Sequence, residues 1–141
     1  MRLVLDASVA VKWFLSTEEP LKEQALDLQT RHERGEIEFI IPDLFWAEVG
    51  NVLWKAVRQR RCSARDAEES LRRAKLLGLR AVPSVELVEE AFAIARKHDR
   101  TLYDSLYLAL AISRRATLIT ADERLAKATA AYLPVKWLGA L

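Results

Sequence analysis

Four acidic residues stand where a folded domain of this size would place apolar side chains. Asp6 closes the run Arg2-Leu3-Val4-Leu5, and Glu48 lies inside Leu44-Phe45-Trp46-Ala47-Glu48-Val49. Asp104 is set in Leu102-Tyr103-Asp104-Ser105-Leu106-Tyr107-Leu108, and Asp122 follows Leu118-Ile119-Thr120-Ala121. Carboxylates are rarely buried unless they are paired or bind a metal. Four such settings, spread over the whole chain, point to one shared acidic pocket. Two carboxylates about 4 Å apart repel by roughly 4 kcal/mol at an effective dielectric of 20. A pocket of this kind needs a cation, and a divalent ion is the simplest one.

The 141 residues match the usual size of one domain, so a single domain over residues 1–141 is expected, with enough chain to bury a core. A hydrophobic content of 51% argues against disorder. Lys+Arg 22 against Asp+Glu 20 leaves +2, so any nucleic-acid reading must rest on local features and not on bulk charge. Cys62 is the single cysteine, which excludes an internal disulfide framework and a cysteine zinc site. With only His32 and His98, a histidine-rich metal site is also disfavoured. No apolar stretch reaches the roughly 18 residues of a membrane span. Met-Arg-Leu-Val-Leu-Asp reads as a strand and not as a secretion signal. The expected setting is cytoplasmic and reducing, with no membrane.

Short apolar runs alternate with helix-period segments. Arg2 to Leu5, Glu38 to Ile41, Arg80 to Val82, Ala116 to Thr120 and Val135 to Leu138 read as strands. Helices are expected from Ser8 as a cap, from Pro20 to about Arg34 with a stop at Gly35, and from Asp43 to about Arg61. Further helices follow Ser63 (to near Gly78), Ser84, Thr101 and Asp122 (to about Ala130). This alternation implies a three-layer α/β/α fold with a mainly parallel sheet of four or five short strands. Ligands in such folds gather beyond the carboxyl ends of the strands. Asp6 and Asp122 both sit just past such ends.

Each acid also has a plain structural reading. Asp6 can cap the first helix, although Ser8 serves equally well. Glu48 can be a surface residue of an amphipathic helix, yet Leu44 and Val52 at i−4 and i+4 turn it towards the apolar face. Asn51 at i+3 is placed to orient Glu48, and Lys55 at i+7 to neutralise it. Thr101-Leu102-Tyr103-Asp104 fits a capping box that needs no chemistry. Against that, Asp104 shares its helix face with Tyr107, Leu108 and Ala111, which must pack inward. Asp122 can be the cap of the last helix, and Thr120 can bond to it or to a ligand. Arg58, Arg60, Arg61 and Arg65 form a basic patch that reads as a solvated face or as a phosphate contact. The four tryptophans read as core or interface groups. The case for a site rests on the four acids jointly.

Val4-Leu5-Asp6-Ala7-Ser8, Pro42 through Glu48 to Asn51, Tyr103-Asp104-Ser105-Leu106-Tyr107-Leu108-Ala109-Leu110-Ala111 and Leu118-Ile119-Thr120-Ala121-Asp122 carry a family likeness. In order and approximate spacing they resemble the PIN domains, and most closely the VapC ribonuclease toxins of toxin–antitoxin pairs. The likeness covers essentially the whole chain. It implies a Mg²⁺ or Mn²⁺ site for RNA hydrolysis, with Asp6 and Asp104 as the firmest ligands. Asp122 is implied as a supporting ligand, with Glu123 beside it able to exchange roles. Glu48 is implied as a ligand or as the orienter of the attacking water, and Ser8 and Thr120 as supporting hydroxyls. The resemblance also implies an RNA substrate cut to a 3′-hydroxyl and a 5′-phosphate, a cognate antitoxin and a homodimer. The surplus apolar side chains between Asp43 and Gly78 fit self-association.

Two rival readings remain at this level. A phosphoacceptor receiver domain also places acids at strand ends of an α/β sheet, with Asp43 as the candidate acceptor. It usually has adjacent acids after its first strand and a lysine after a late strand, whereas here the first strand ends Asp6-Ala7-Ser8 and Leu118-Ile119-Thr120-Ala121-Asp122 has no lysine. The other rival is a PIN-like fold that binds RNA or acts as a scaffold without catalysis.

Overall fold

A computed structural model describes residues 1–15 and 18–141. The elements are β1 (Arg2–Leu5), α1 (Ala7–Phe14), α2 (Lys22–Glu33), β2 (Glu38–Pro42), α3 (Leu44–Arg58), α4 (Ala64–Lys75), β3 (Arg80–Val82), α5 (Val88–His98), α6 (Leu102–Arg114), β4 (Thr117–Thr120), α7 (Glu123–Thr129) and β5 (Val135–Trp137). Short 3₁₀ turns cover Ser84–Glu86 and Leu138–Ala140.

The five strands form one parallel sheet in the order β3-β2-β1-β4-β5. The chain begins at the centre, builds outward through β2 and β3, and then crosses to the other side of β1 for β4 and β5. The strand order therefore reverses between β1 and β4. A crevice opens at the carboxyl end of such a reversal, where the connections leave in opposite directions.

Period-2 alternation supplies both faces of the sheet. Leu3, Leu5, Phe39, Ile41 and Ile119 point to one layer, where they meet Val9, Phe45, Val49 and Leu53 of α1 and α3. Val4, Ile40, Leu118 and Val135 point to the other, against Leu106, Leu108, Leu110 and Ala91 of α5 and α6. The register sets Val4 opposite both Ile40 and Leu118, so a buried row crosses three strands. Burial on both faces explains why the strands read as continuous apolar runs. Among the described residues no helix is long and apolar enough to cross a membrane.

Three expected caps form with hydrogen bonds. Ser63 Oγ accepts the Asp66 amide at 3.0 Å, Thr101 Oγ1 accepts the Asp104 amide at 3.0 Å, and Asp122 accepts the Leu125 amide at 3.1 Å. Two caps differ from expectation. Ser8 lies inside α1, and Asp6 occupies the cap position. Ser84 opens the 3₁₀ turn, and α5 begins only at Val88. The Ser84 hydroxyl and amide instead bind the Asp43 carboxylate, which draws them away from a cap. Helix ends also fall short of the sequence reading. α2 starts at Lys22, because Leu21 takes a left-handed conformation at φ 63°, and α3 and α4 stop at Arg58 and Lys75. Gly35, at φ 75°, ends the turn after α2 as its sequence position predicts.

Phe39 is 0% exposed, with the rings of Trp13 and His32 at 5.9 and 5.0 Å. Phe39→Ala should destabilise the fold by about 3–5 kcal/mol. Urea unfolding should show a lower midpoint with an unchanged slope. A loss below about 1 kcal/mol would contradict this packing.

Candidate active site

Asp6 is the first residue beyond β1. Its backbone starts α1, with its carbonyl accepting the Val9 amide at 3.0 Å, and its own amide donates to Ile119 of β4 at 3.1 Å. The carboxylate does no capping. Its Oδ2 accepts the hydroxyl of Ser8 at 2.9 Å and that of Thr120 at 2.6 Å. Each hydroxyl has one proton, and both are directed at Asp6. Their lone pairs then accept backbone amides: Ala121 N–H reaches Ser8 Oγ at 3.0 Å, and Asp122 N–H reaches Thr120 Oγ1 at 3.0 Å. One bonded unit thus joins the end of β1, the start of α1 and the turn between β4 and α7. Thr120 is fully buried within it.

Glu48 comes from the second turn of α3 and is half-buried. Its Oε1 accepts the phenol of Tyr107, from α6, at 2.7 Å. Tyr107 is only 2% exposed. Burial, followed by the negative charges of Asp6 and Glu48, pushes its phenol far above the ordinary range, so it remains a donor. The orienting role that sequence spacing assigned to Asn51 falls geometrically to Tyr107. Asn51 is exposed and makes no side-chain hydrogen bond among the described residues, and Lys55 is likewise exposed without an ion pair to Glu48. The signal for Tyr107 was its i+3 position from Asp104, but its partner sits 59 residues away in the chain.

Asp104 combines both of its sequence readings. Its amide completes the Thr101 cap, while its carboxylate faces other charges. Arg100 Nη2 lies 3.7 Å from Asp104 Oδ2. Burial raises the Asp104 carboxyl above its ordinary value, Arg100 counteracts this, and Asp122 adds repulsion. Asp122 is exposed, and one of its oxygens is taken by the cap of α7. The adjacent Glu123 carboxylate pairs with Lys127 at 2.9 Å, one turn along the same helix.

Burial is the largest cause that raises Asp6 and Glu48 as well. At Asp6 the Thr120 and Ser8 hydroxyls oppose it and Asp104 adds to it; at Glu48 the Tyr107 phenol opposes it and Asp6 and Asp104 add to it. Repulsion therefore links Asp6 with Glu48 and Asp104, Glu48 with Asp104, and Asp104 with Asp122. These couplings join Asp6, Glu48 and Asp104 from three separate chain segments, and Asp122 joins the set through Asp104 alone. Among the described residues no three Asp, Glu, His or Cys side chains already form a cage that would hold a metal ion by themselves. Asp6, Glu48 and Asp122 each have one oxygen bound to a protein donor. The other oxygen of each has no hydroxyl or cationic partner among the described residues.

A carboxyl whose folded pKa is raised binds its proton more tightly in the native state than in the unfolded chain. Its ionisation costs stability, fully above the folded pKa, and the cost vanishes as pH falls towards the unfolded value near about 4. With Asp6, Glu48 and Asp104 all raised, chelator-stripped protein should melt at higher temperature near pH 5 than at neutral pH. Calorimetry with Asp6→Asn beside the wild type checks this. The substitution should flatten the profile, and a wild-type melting temperature that falls steadily from pH 7 to 5 would contradict the coupling.

Comparison with known proteins agrees with this architecture. A family model for the PIN domain matches residues 3–131. Ribonuclease VapC3 of Pyrobaculum aerophilum is 32% identical over 134 residues, covering 90% of this chain and 94% of that protein. The crystal structure of PAE2754 from Pyrobaculum aerophilum superposes with a TM-score of 0.72 at 23% identity, covering 99% of this chain and 85% of that one. A toxin–antitoxin complex from Klebsiella pneumoniae gives a TM-score of 0.62 at 20% identity, with 95% of each chain covered. The match to the family model over nearly the whole length, on a five-stranded parallel sheet, makes this chain a member of the PIN domain family.

Proposed function

We propose that this protein is an endoribonuclease that hydrolyses RNA phosphodiester bonds at a Mg²⁺ or Mn²⁺ site formed by Asp6, Glu48, Asp104 and Asp122, and that it is the toxin of a VapBC-type toxin–antitoxin pair. The observation that carries this reading is the division of labour within the carboxylates. Asp6, Glu48 and Asp122 each use one oxygen to fix the side chain, and the other has no hydroxyl or cationic partner among the described residues. A set of purely structural caps would leave no such surplus of mutually repelling charge. The relationship to ribonuclease VapC3, at 32% identity over 90% of this chain, supports the choice of RNA.

The donor set fits a hard cation. All four candidate ligands are oxygens, which suit Mg²⁺ or Mn²⁺ and not Zn²⁺. Mg²⁺ retains several waters and is commonly held by one or two carboxylates together with substrate phosphates. Such a site does not require a complete protein cage, in keeping with the open arrangement described above. A bound ion of this type supplies a Lewis acid for the phosphoryl oxygen and acidifies water at neutral pH.

The protein's own groups supply position and proton transfer. Ser8 and Thr120 hold Asp6 in one orientation, and Asp122 is held at the mouth of α7 by its cap. Tyr107 keeps its proton on the side of Glu48 Oε1, which leaves Glu48 Oε2 to accept a proton from the attacking water. The raised pKa of Glu48 suits that role, because its affinity for a proton lies nearer to neutral pH. Water attacks phosphorus, the bond to the 3′ oxygen breaks, and that oxygen takes a proton from solvent. The products are a 3′-hydroxyl and a 5′-phosphate.

The receiver-domain alternative fails on topology. That fold uses the strand order 2-1-3-4-5, whereas this sheet runs β3-β2-β1-β4-β5. The same functional reading gives the protein two partners and a cytoplasmic setting beside its RNA substrate. A cognate antitoxin is supported by the similarity to one chain of the Klebsiella pneumoniae complex. A second copy is supported by exposed apolar groups on the α3–α4 side, with Trp54 56% and Leu76 83% exposed. A hollow of about 410 Å³ beside Trp46, Leu71 and Lys75 extends that surface.

Asp6→Asn and Asp104→Asn keep side-chain shape but each removes one charge and one good metal-binding oxygen. Both should reduce Mg²⁺- or Mn²⁺-dependent RNA cleavage by at least about a hundredfold. The fold should stay intact, with metal-free melting temperatures equal to or above the wild type. Wild-type cleavage by both variants would refute the mechanism. A wild-type protein that binds RNA without cutting it in either metal would favour the non-catalytic reading.

A further inference from the structure

Arg100 lies in the turn between α5 and α6, one residue before the Thr101 cap. Its amide closes α5 on the Ala95 carbonyl at 3.2 Å, which fixes its backbone. The side chain is fixed much less well. Its Nη2 stands 3.7 Å from Asp104 Oδ2, within ion-pair range but beyond hydrogen-bond reach. Its Nε is buried and has no hydrogen-bond partner. Buried N–H groups are normally paired, so an orphan beside reactive carboxylates calls for an explanation. Among the described residues, no other lysine or arginine forms an ion pair with Asp6, Glu48, Asp104 or Asp122.

A guanidinium is permanently charged and offers five donors in a planar fork that matches phosphate oxygens. Asp104 uses this fork poorly. The contact is long, the two side chains are 25% and 32% exposed, and ion pairs of that exposure add little to stability. An arrangement built only to stabilise the turn would close the bond. An arrangement in which Asp104 later takes a different cation would leave the fork available, as is seen.

We propose that Arg100 is a substrate-binding residue of the acidic cleft, pairing with Asp104 in the metal-free protein and gripping an RNA phosphate once a divalent ion neutralises Asp104. The proposal rests on the ribonuclease reading above and adds to it the group that draws an anionic substrate towards four anionic side chains. It requires Arg100 to act in opposite directions on the two ligands. It competes with the metal for Asp104, and it attracts the RNA.

The test compares wild type, Arg100→Gln and Arg100→Lys by two measurements. Mn²⁺ alone is titrated calorimetrically, and a fluorescent single-stranded RNA is titrated by anisotropy in Ca²⁺, a hard cation suited to oxygen ligands. Arg100→Gln should bind Mn²⁺ about two- to fivefold more tightly, because a competing cation is gone. It should bind RNA about tenfold more weakly, because a charge-assisted contact is lost. The slope of log K against log salt should become shallower by about 0.7, the value for one phosphate contact on a single strand. Arg100→Lys, which keeps the charge without the fork, should restore Mn²⁺ affinity to wild type and RNA affinity only in part; it also serves as the test if Arg100→Gln does not fold. Equal RNA affinity and salt slope in wild type and Arg100→Gln would overturn the proposal, as would a joint loss of Mn²⁺ and RNA binding. If wild type cleaves RNA and these variants match it, only the role of Arg100 falls. If wild type neither binds nor cleaves RNA, the ribonuclease reading falls and this role falls with it.

Discussion

Two hydroxyl groups on one carboxylate oxygen hold the centre of this molecule together. Ser8 and Thr120 both donate to Asp6 Oδ2, and both accept backbone amides from the turn after β4. Both hydroxyls and Asp6 Oδ2 have their partners inside this unit, which offsets part of the cost of burying the acid. The unit ties β1 to β4 where the sheet reverses its strand order. The position of Asp6 at the end of β1 is therefore set by the same bonds that let the buried acid exist. Loss of either hydroxyl would leave amides without acceptors and Asp6 with less compensation.

Around this anchor the structure accumulates negative charge that it only partly offsets. Burial and mutual repulsion raise the carboxyls of Asp6, Glu48 and Asp104, and Arg100 is the one cation found close by among the described residues. Tyr107 offers a hydrogen bond in place of a charge. A phenol is well suited here. It fixes Glu48 without neutralising it, and its own ionisation is suppressed first by burial and then by the neighbouring acids. The apolar layers supply the rigidity that keeps such unfavourable neighbours together. Leu106, Leu108 and Leu110 on α6 and Phe45, Val49 and Leu53 on α3 clamp the two helices that carry Asp104 and Glu48 onto opposite faces of the sheet.

Much of the fold was legible because its signals are local. All five strands appear where short runs predict them, and the three inner ones, β1, β2 and β4, read as apolar runs because both of their faces are covered. The caps at Ser63, Thr101 and Asp122 were readable because each is decided within four residues. Ser84 was misread for the converse reason: its hydroxyl answers to Asp43, 41 positions away. Local capping preference had no means of weighing that competitor. Ser8 was displaced locally, because Asp6 two residues earlier takes the cap position and receives its hydroxyl.

The sequence by itself determined the α/β class and the parallel sheet, and it singled out four acids that adjoin apolar runs. Those conclusions need only periodicity and the cost of burying charge. The tertiary structure decided which groups meet. It placed Tyr107 and not Asn51 on Glu48, put both hydroxyls on the same oxygen of Asp6, paired Glu123 with Lys127, and left Arg100 in loose contact with Asp104. Two of these pairings, Glu48 with Tyr107 and Asp6 with Thr120, span 59 and 114 positions, and the short ones depend on which face of a helix the sheet covers. A side chain's partner is fixed by packing across layers, and no reading of neighbouring residues contains that information.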